Sequence, residues 1–181
     1  MKTLRIVGGI VVGLIVILLI LRITGFPPNA FTPGLWLPGE LEKAPITDWT
    51  FVMSVKEGLH EAGGYPLVQV QTTERFFPLL PYSFRVSCMV VNKNLYIGAL
   101  YVAGVEYPNG RHWNKNLVRD PHVRLKIGNK LYDKVLVRVT DPDENEALHK
   151  GWIIRRPEDA DPGVIKLWFR VMPNDTPVGA D

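Results

Sequence analysis

One cysteine, Cys88, stands in 181 residues, which excludes an internal disulfide and any cysteine cluster for a metal. It lies in the apolar run from Val86 to Val91, where a buried core thiol is expected. The four histidines, His60, His112, His122 and His149, are scattered without partners at ligand spacing, so no metal site is expected. The glycine-rich phosphate loop, H-E-x-x-H and G-x-S-x-G are all missing, which removes the sequence basis for those nucleotide, zinc-protease and hydrolase sites. Ser83 and Ser87 have no His and Asp arrangement beside them to make a triad. A net charge of +3, without basic and aromatic residues interleaved on a reading helix, argues against nucleic acid. Internal repeats and low-complexity tracts are also missing. Apolar residues at 46% and aromatics at 10% exclude a disordered chain.

What is present begins with a hydrophobic run. Ile6 to Leu21 holds only apolar residues and glycine, with Arg5 before it and Arg22 after it. Sixteen helical residues cover roughly 24 Å, a little under the hydrocarbon thickness, and Leu4, Ile23 and Phe26 can extend the span while the arginines reach the headgroups. Arg22 to Pro28 offers no small-x-small cleavage site, so an uncleaved single-pass anchor over residues 1–25 is expected rather than a signal peptide. The amino terminus, Lys2 and Arg5 outnumber Arg22, which predicts a cytoplasmic N-terminus and an extracytoplasmic domain. Residues 26–45 carry Pro27, Pro28, Pro33, Pro38 and Pro45 and read as an extended tether, with Leu35, Trp36 and Leu37 docking on the domain or at the membrane interface. Residues 46–181 remain for one domain with a real core.

The most informative stretch runs from Arg111 to Asp141. Trp113, Asn116 and Leu117 fall at i, i+3, i+4, which sets an apolar edge and an amide on one side of a helical turn. Asp120-Pro121 ends that turn. His122 to Ile127 alternates, Gly128-Asn129 is a tight-hairpin dipeptide, and the return strand alternates as Val135, Val137 and Val139 against Lys134, Leu136 and Arg138. One face is expected to be core and the other basic. Eight Lys or Arg against two acids lie between Arg111 and Arg138, a concentration suited to an anionic small molecule such as a phosphate-bearing cofactor and equally to an ordinary solvated strand face.

Further strands are predicted at Trp49–Val55, Pro66–Thr73, Tyr82–Val91, Leu95–Tyr101 and Val164–Met172. A turn at Asn92-Lys93-Asn94 joins the third and fourth of the chain's strands. Asp141 reads as the N-cap of a helix reaching about Trp152, with Pro142 at N1 and Glu144 at N3.

The pattern W-x-x-N-L-x-x-D-P-x-V-x-L-x-I-G-x-x-x-Y from Trp113 to Tyr132, followed by V-T-D-P-D-E, resembles the FMN-binding split β-barrel superfamily. The pyridoxamine-phosphate-oxidase-like and deazaflavin-dependent nitroreductase-like branches are the nearest in pattern. PGLWLPGELEKAPITDWTF and QTTERFFPLLPYSFRVSCMVVNKNLYIGALY continue the resemblance, which covers Leu35 to Trp152. It implies a mainly β fold: a small antiparallel split barrel of six to seven strands with one or two short helices, preceded here by a single transmembrane helix. It also implies a homodimer and a flavin-type cofactor, FMN or a deazaflavin, in a membrane-anchored oxidoreductase. On this sequence the cofactor-binding residues would be Tyr82, Ser83, Arg85 and Ser87 on one strand, Gly98 and Ala99 on the next, Arg111 in the loop, and Trp113 and Asn116 in the turn. Arg111 and Trp113 are then expected to matter for ligand binding and little for folding. The R-x-x-x-L-K pattern of many members is not met, since no lysine follows Arg85 before Lys93. Haem, no cofactor, or a non-catalytic anchored barrel binding a ligand or protein partner stay open. Catalytic residues and substrate are not implied.

Overall fold

The computed structural model describes residues 2–29, 32–55, 67–74, 80–102, 104–155, 157, 160 and 163–177; His60 and Pro66 lie outside the described residues. The apolar run forms helix α1 (Lys2–Thr24), about 34 Å long at 1.5 Å per residue. Its Arg5–Thr24 portion is long and apolar enough to cross a membrane and is not buried against the rest of the chain, a test that a signal sequence also passes.

The rest is mainly β. Strand β1 (Glu40–Leu41) is followed by β2 (Leu67–Thr73), β3 (Pro81–Val91), β4 (Asn94–Val102), helix α2 (His112–Arg119), β5 (His122–Ile127), β6 (Lys130–Arg138), helix α3 (Pro142–Arg155) and β7 (Val164–Pro173). The order β6-β5-β2-β3-β4-β7 closes through β6–β7 pairing into a six-stranded antiparallel barrel, and β1 adds to β6 in parallel. Two hairpins are set locally. Asn92 and Lys93 both take positive φ (48° and 68°) between the paired Val91 and Asn94, and Gly128 (φ 57°) turns between Ile127 and Lys130.

Alternation places Val68, Val70, Phe84, Cys88, Leu95, Ile97, Val123, Leu125, Ile127, Tyr132, Leu136 and Phe169 in one core inside the barrel. Burial pushes the Cys88 thiol up to about 12, so the thiol stays protonated and inert.

Two expectations are corrected. Trp49–Val55 is not a strand: Thr50–Ser54 is a 3-10 helix. The Asp48 carboxylate accepts from both the Thr50 N–H (2.9 Å) and its hydroxyl (2.7 Å), which fixes a turn in place of an extended start. Trp49 and Val52, three apart, are the buried pair. On β6 the barrel-facing residues are Tyr132 and Leu136, not the valines: Leu125 pairs with Tyr132, and cross-strand partners share a face. Val135 and Val139 are nevertheless buried on the outer side while Val137 is 36% exposed.

That outer side is covered twice. The first cover is made by residues 26–29 and 32–45, which run along the barrel. Phe26 N–H donates to the Trp36 carbonyl, Gly34 exchanges both backbone bonds with Ser83, Leu37 N–H donates to Gln71 Oε1 (2.8 Å), and Glu40 and Glu42 bond to Asn129 and Leu131. Leu37 is 5% exposed. The second cover is α3, whose Leu148 and Trp152 pack with Met89, Tyr96, Val139 and Trp168 in a smaller core. Asp141 caps α3 by accepting from Glu144 N–H at 2.7 Å.

Glu144 also clasps α3 to the barrel, accepting from the Arg170 guanidinium and from the Tyr96 hydroxyl (2.8 Å). Arg170 foremost, with Tyr96 assisting, holds its carboxyl below the ordinary 4.5. A carboxylate with a lowered folded value contributes stability above its unfolded value, and that contribution is lost as pH falls through the folded value. Glu144→Gln should therefore melt lower than the native chain at pH 7, with the gap closing below pH 4.5; melts at both ends of that window check it.

Candidate functional site

The elements that could hold a ligand meet where β3 and β4 part. Their registered pairs run only from Val91↔Asn94 to Cys88↔Ile97. Beyond Cys88, β3 keeps β2 as its partner and β4 keeps β7. The candidates Ser83, Arg85, Ser87, Gly98 and Ala99 thus lie on the two strands that flank this opening.

Helix α2 plugs the same end of the barrel. Trp113 is 6% exposed and stacks on Phe84 (centroids 4.7 Å, planes 20° apart), with Phe169 at 5.4 Å. Asn116 is 2% exposed; its Nδ2 donates to Thr72 Oγ1 (3.0 Å) and Glu74 Oε1 (3.3 Å), so the amide ties α2 to the end of β2. Asn114 donates to the Tyr101 hydroxyl, Arg119 donates to the Thr73 carbonyl, and His112 Nε2 lies 2.7 Å from Glu74 Oε1. Trp113 and Asn116 are therefore interior groups, and neither lines an open surface.

Arg111 differs. It precedes α2 in extended conformation, and its Nε donates to the Leu100 carbonyl at 3.1 Å on the parted edge of β4. Its two Nη groups have no partner among the described residues, and the side chain is exposed. Three phenols stand nearby. Burial raises Tyr82, Tyr101 and Tyr107; the Glu74 carboxylate raises Tyr82 further against Arg111, the Asn114 hydrogen bond and then Arg111 and Arg138 oppose at Tyr101, and Arg138 opposes at Tyr107. They stay protonated, able to donate to an anion or a carbonyl. Arg138 stacks on Tyr107 at 4.7 Å. A cation with a free fork beside protonated phenols can bind phosphate or carboxylate.

The remaining candidates divide by face. Tyr82 packs against the inner core from β3, whereas Ser83, Arg85 and Ser87 alternate with it and point outward. Ser83 Oγ is buried without a partner among the described residues. Ala99 belongs to the inner core. Gly98 faces outward, but the space above it is filled: a Cβ there would lie 2.3 Å from Lys166 Cε and 3.0 Å from the Trp168 ring.

Tyr101 and Tyr107, which stand near Arg111 and Arg138, were not singled out by the sequence. Gln69 pairs with Arg85 on one side and Lys126 on the other, a pairing between strands distant in sequence. On the same outer face, a groove of about 330 Å³ is lined by Gln71, His122, Val123, Arg124, Asp133 and Asn174. Its Arg124 is closed by a two-point bond to Asp133 at 2.7 and 2.9 Å. Among the described residues no group of three His, Cys, Asp or Glu is placed to hold a metal.

No protein-family model matches the chain, and no curated protein does. Solved structures share part of its course. A protein assigned as a pyridoxamine 5′-phosphate oxidase from Listeria innocua overlaps 60% of this chain and 84% of its own at 12% identity and TM-score 0.44. A NimC/NimA family protein from Clostridium acetobutylicum overlaps 66% and 84% at 16% identity and TM-score 0.40. An FAD-binding protein from Mesorhizobium loti overlaps 67% and 88% at 10% identity and TM-score 0.40. At these values the likeness fixes no family, and the fold assignment rests on the strand register itself.

Proposed function

We propose that this chain is a membrane-anchored barrel that holds a flavin-type cofactor, FMN or a deazaflavin, at the parted edges of β3 and β4 and serves as an oxidoreductase, acting as a homodimer. The observation that carries the reading is Arg111: Nε fixed on the Leu100 carbonyl, Nη groups unengaged among the described residues, phenols of Tyr82 and Tyr101 within its field. The donor set fits a phosphate-bearing group. Such a cofactor supplies hydride chemistry when bound. Arg111 would bind and orient its phosphate, the tyrosine hydroxyls would complete the donors, and α2 with its Trp113 plug would hold Arg111 in place.

FMN and a deazaflavin are to be titrated against the full chain and against Arg111→Ala, with melts alongside. Losing the charge-assisted contact should weaken binding about 10- to 150-fold, or about 1.5–3 kcal/mol, with little change in melting because Arg111 is exposed. Equal binding by Arg111→Ala would place the phosphate elsewhere.

A second reading is a non-catalytic anchored barrel that binds a ligand or protein partner. It is favoured by Gly98, whose outer space Lys166 and Trp168 already fill, so a flat ring cannot approach the backbone there. A chain that takes up neither cofactor supports this reading. In both readings α1 is the anchor, with the N-terminus in the cytoplasm and the barrel on the other side. Gly25 packs on the Pro38 ring, which would seat the barrel at the bilayer surface.

A further inference from the structure

We propose that the end of the barrel opposite α2 rests on the lipid bilayer, with Phe51 and Met53 inserted at the level of the headgroups and upper acyl chains. The inference rests on the reading of α1 as an anchor and goes beyond it, since it names the face that meets the membrane.

The barrel is plugged at both ends. Helix α2 is tied to the end of β2 through the Thr72 hydroxyl and the Thr73 carbonyl. The β3–β4 and β5–β6 turns lie at the other end, because β2 begins there: Leu67 pairs with Ser87, and Gln69 with Lys126, each a few residues short of its turn. The 3-10 turn Thr50–Ser54 closes this second end. Trp49 N–H donates to the Lys93 carbonyl of one turn at 3.0 Å, and a Cβ on Gly128 of the other would lie 3.8 Å from Val55 Cγ1. At about three residues per turn, burial of Trp49 and Val52 in the core drives Phe51 and Met53 outward. Both outward side chains are large and apolar, 36% and 40% exposed. Phe51 is held in that position by rings, its centroid 5.9 Å from Trp49 and 6.2 Å from Tyr132.

What covers these side chains follows from where α1 ends. Gly25, the residue after α1, packs on the Pro38 ring, and Gly39 packs on the Asn129 carbonyl of the β5–β6 turn. Glu40 N–H donates to the same carbonyl at 3.0 Å. The strap therefore brings the apolar helix to the plugged end that carries Phe51 and Met53, and the exposed Leu41 extends the apolar rim. Two lysines at this end are matched by acids, Lys130 by Glu40 at 2.8 Å and Lys93 by Asp48 at 3.4 Å. A contact built on Phe51, Met53 and Leu41 needs no anionic lipid. So few side chains cannot hold a domain to a bilayer by themselves. They orient one that α1 already holds, and they turn the α2 end, with Arg111, toward water.

The test uses the full chain in phosphatidylcholine liposomes. Phe51→Cys and Met53→Cys are labelled with an NBD maleimide. Val118→Cys is the control, since Val118 is apolar and exposed on α2 at the far end. Cys88 is buried and should take up no label, which the unsubstituted chain verifies. The labels replacing Phe51 and Met53 should emit to the blue of the one replacing Val118. A doxyl group near the carbonyl end of the acyl chain should quench them more than one at the chain terminus, as insertion by about 5–10 Å requires. Neither lipid should quench the control. Met53 stands outside the ring cluster, so its variant tests the contact even where the Phe51 variant loses stability. Labels at both positions that no doxyl lipid quenches overturn the proposal, even if blue-shifted, because burial against a second protein copy gives that result. Equal quenching of the control overturns it too. Flotation separates the proposal from its premise: a chain that does not float with liposomes overturns anchor and contact together, whereas a floating chain without quenching overturns the contact alone.

Discussion

Trp113→Ala should destabilise the protein by about 3–5 kcal/mol, the cost of emptying an aromatic site that cannot collapse. Trp113 is 6% exposed, and its ring is held between Phe84 and Phe169 at 4.7 and 5.4 Å. It is the largest group that α2 inserts into the barrel end. Its removal also loosens the helix that carries Asn114, Asn116 and Arg111. At roughly 2–4 °C per kcal/mol for a chain of this size, the melting temperature should fall by about 10 °C. Trp113→Phe should cost less because a ring still fills part of the site. The sequence-based expectation that Trp113 matters little for folding is thereby replaced. Thermal melts of both variants check it, and an Ala variant that melts with the native chain would remove Trp113 from the core.

The second large effect concerns the strap. A chain beginning at Phe26 should leave the membrane fraction and keep near-native stability, whereas the full chain should resist carbonate extraction. A chain beginning at Ile46 should be less stable than the Phe26 chain by about 2–4 kcal/mol. It loses the buried Leu37 side chain, about 1.5–3 kcal/mol for a leucine. It also loses the bonds that Gly34, Leu37, Glu40 and Glu42 make to the barrel, each worth about 0.5–1.5 kcal/mol net. Release of the ordered backbone offsets much of that sum. Equal stability of the two shortened chains would mean that the strap only touches the barrel. Recovery of a mature soluble chain starting after Gly25 would identify α1 as a cleaved leader.

Local patterns explain what could be read without coordinates. The alternation of His122 to Ile127, the Gly128-Asn129 turn, the Trp113/Asn116/Leu117 edge and the Asp141 cap each depend on neighbours a few residues away, and each is found. Elements that depend on distant partners were hidden. Strand β1 is two residues long and exists because Glu40 and Leu41 lie beside Lys130 and Leu131. The outer face of β6 is apolar because the strap and α3 cover it, so its alternation gave no clue to which side faced the barrel.

The candidate site divides in the same way. Arg111 was visible as a basic residue before an Asn/Trp turn. Its free fork at the parted strands required the β3–β4 register to end at Cys88 and Ile97. That Lys126 lies two strands from Arg85, joined through Gln69, likewise depends on pairing between strands distant in sequence. The surroundings of Gly98 were hidden for a related reason: its partner in β7 is Trp168, and the Lys166 chain and the Trp168 ring lie over it.

The central claim, a flavin-type cofactor at the parted β3–β4 edge, is tested most directly by the visible absorption spectrum of the full chain extracted in mild detergent, before and after incubation with FMN or a deazaflavin and removal of free ligand. The account predicts a retained flavin or deazaflavin band in the native chain and its loss in Arg111→Ala. A colourless protein that retains neither ligand after incubation would contradict it.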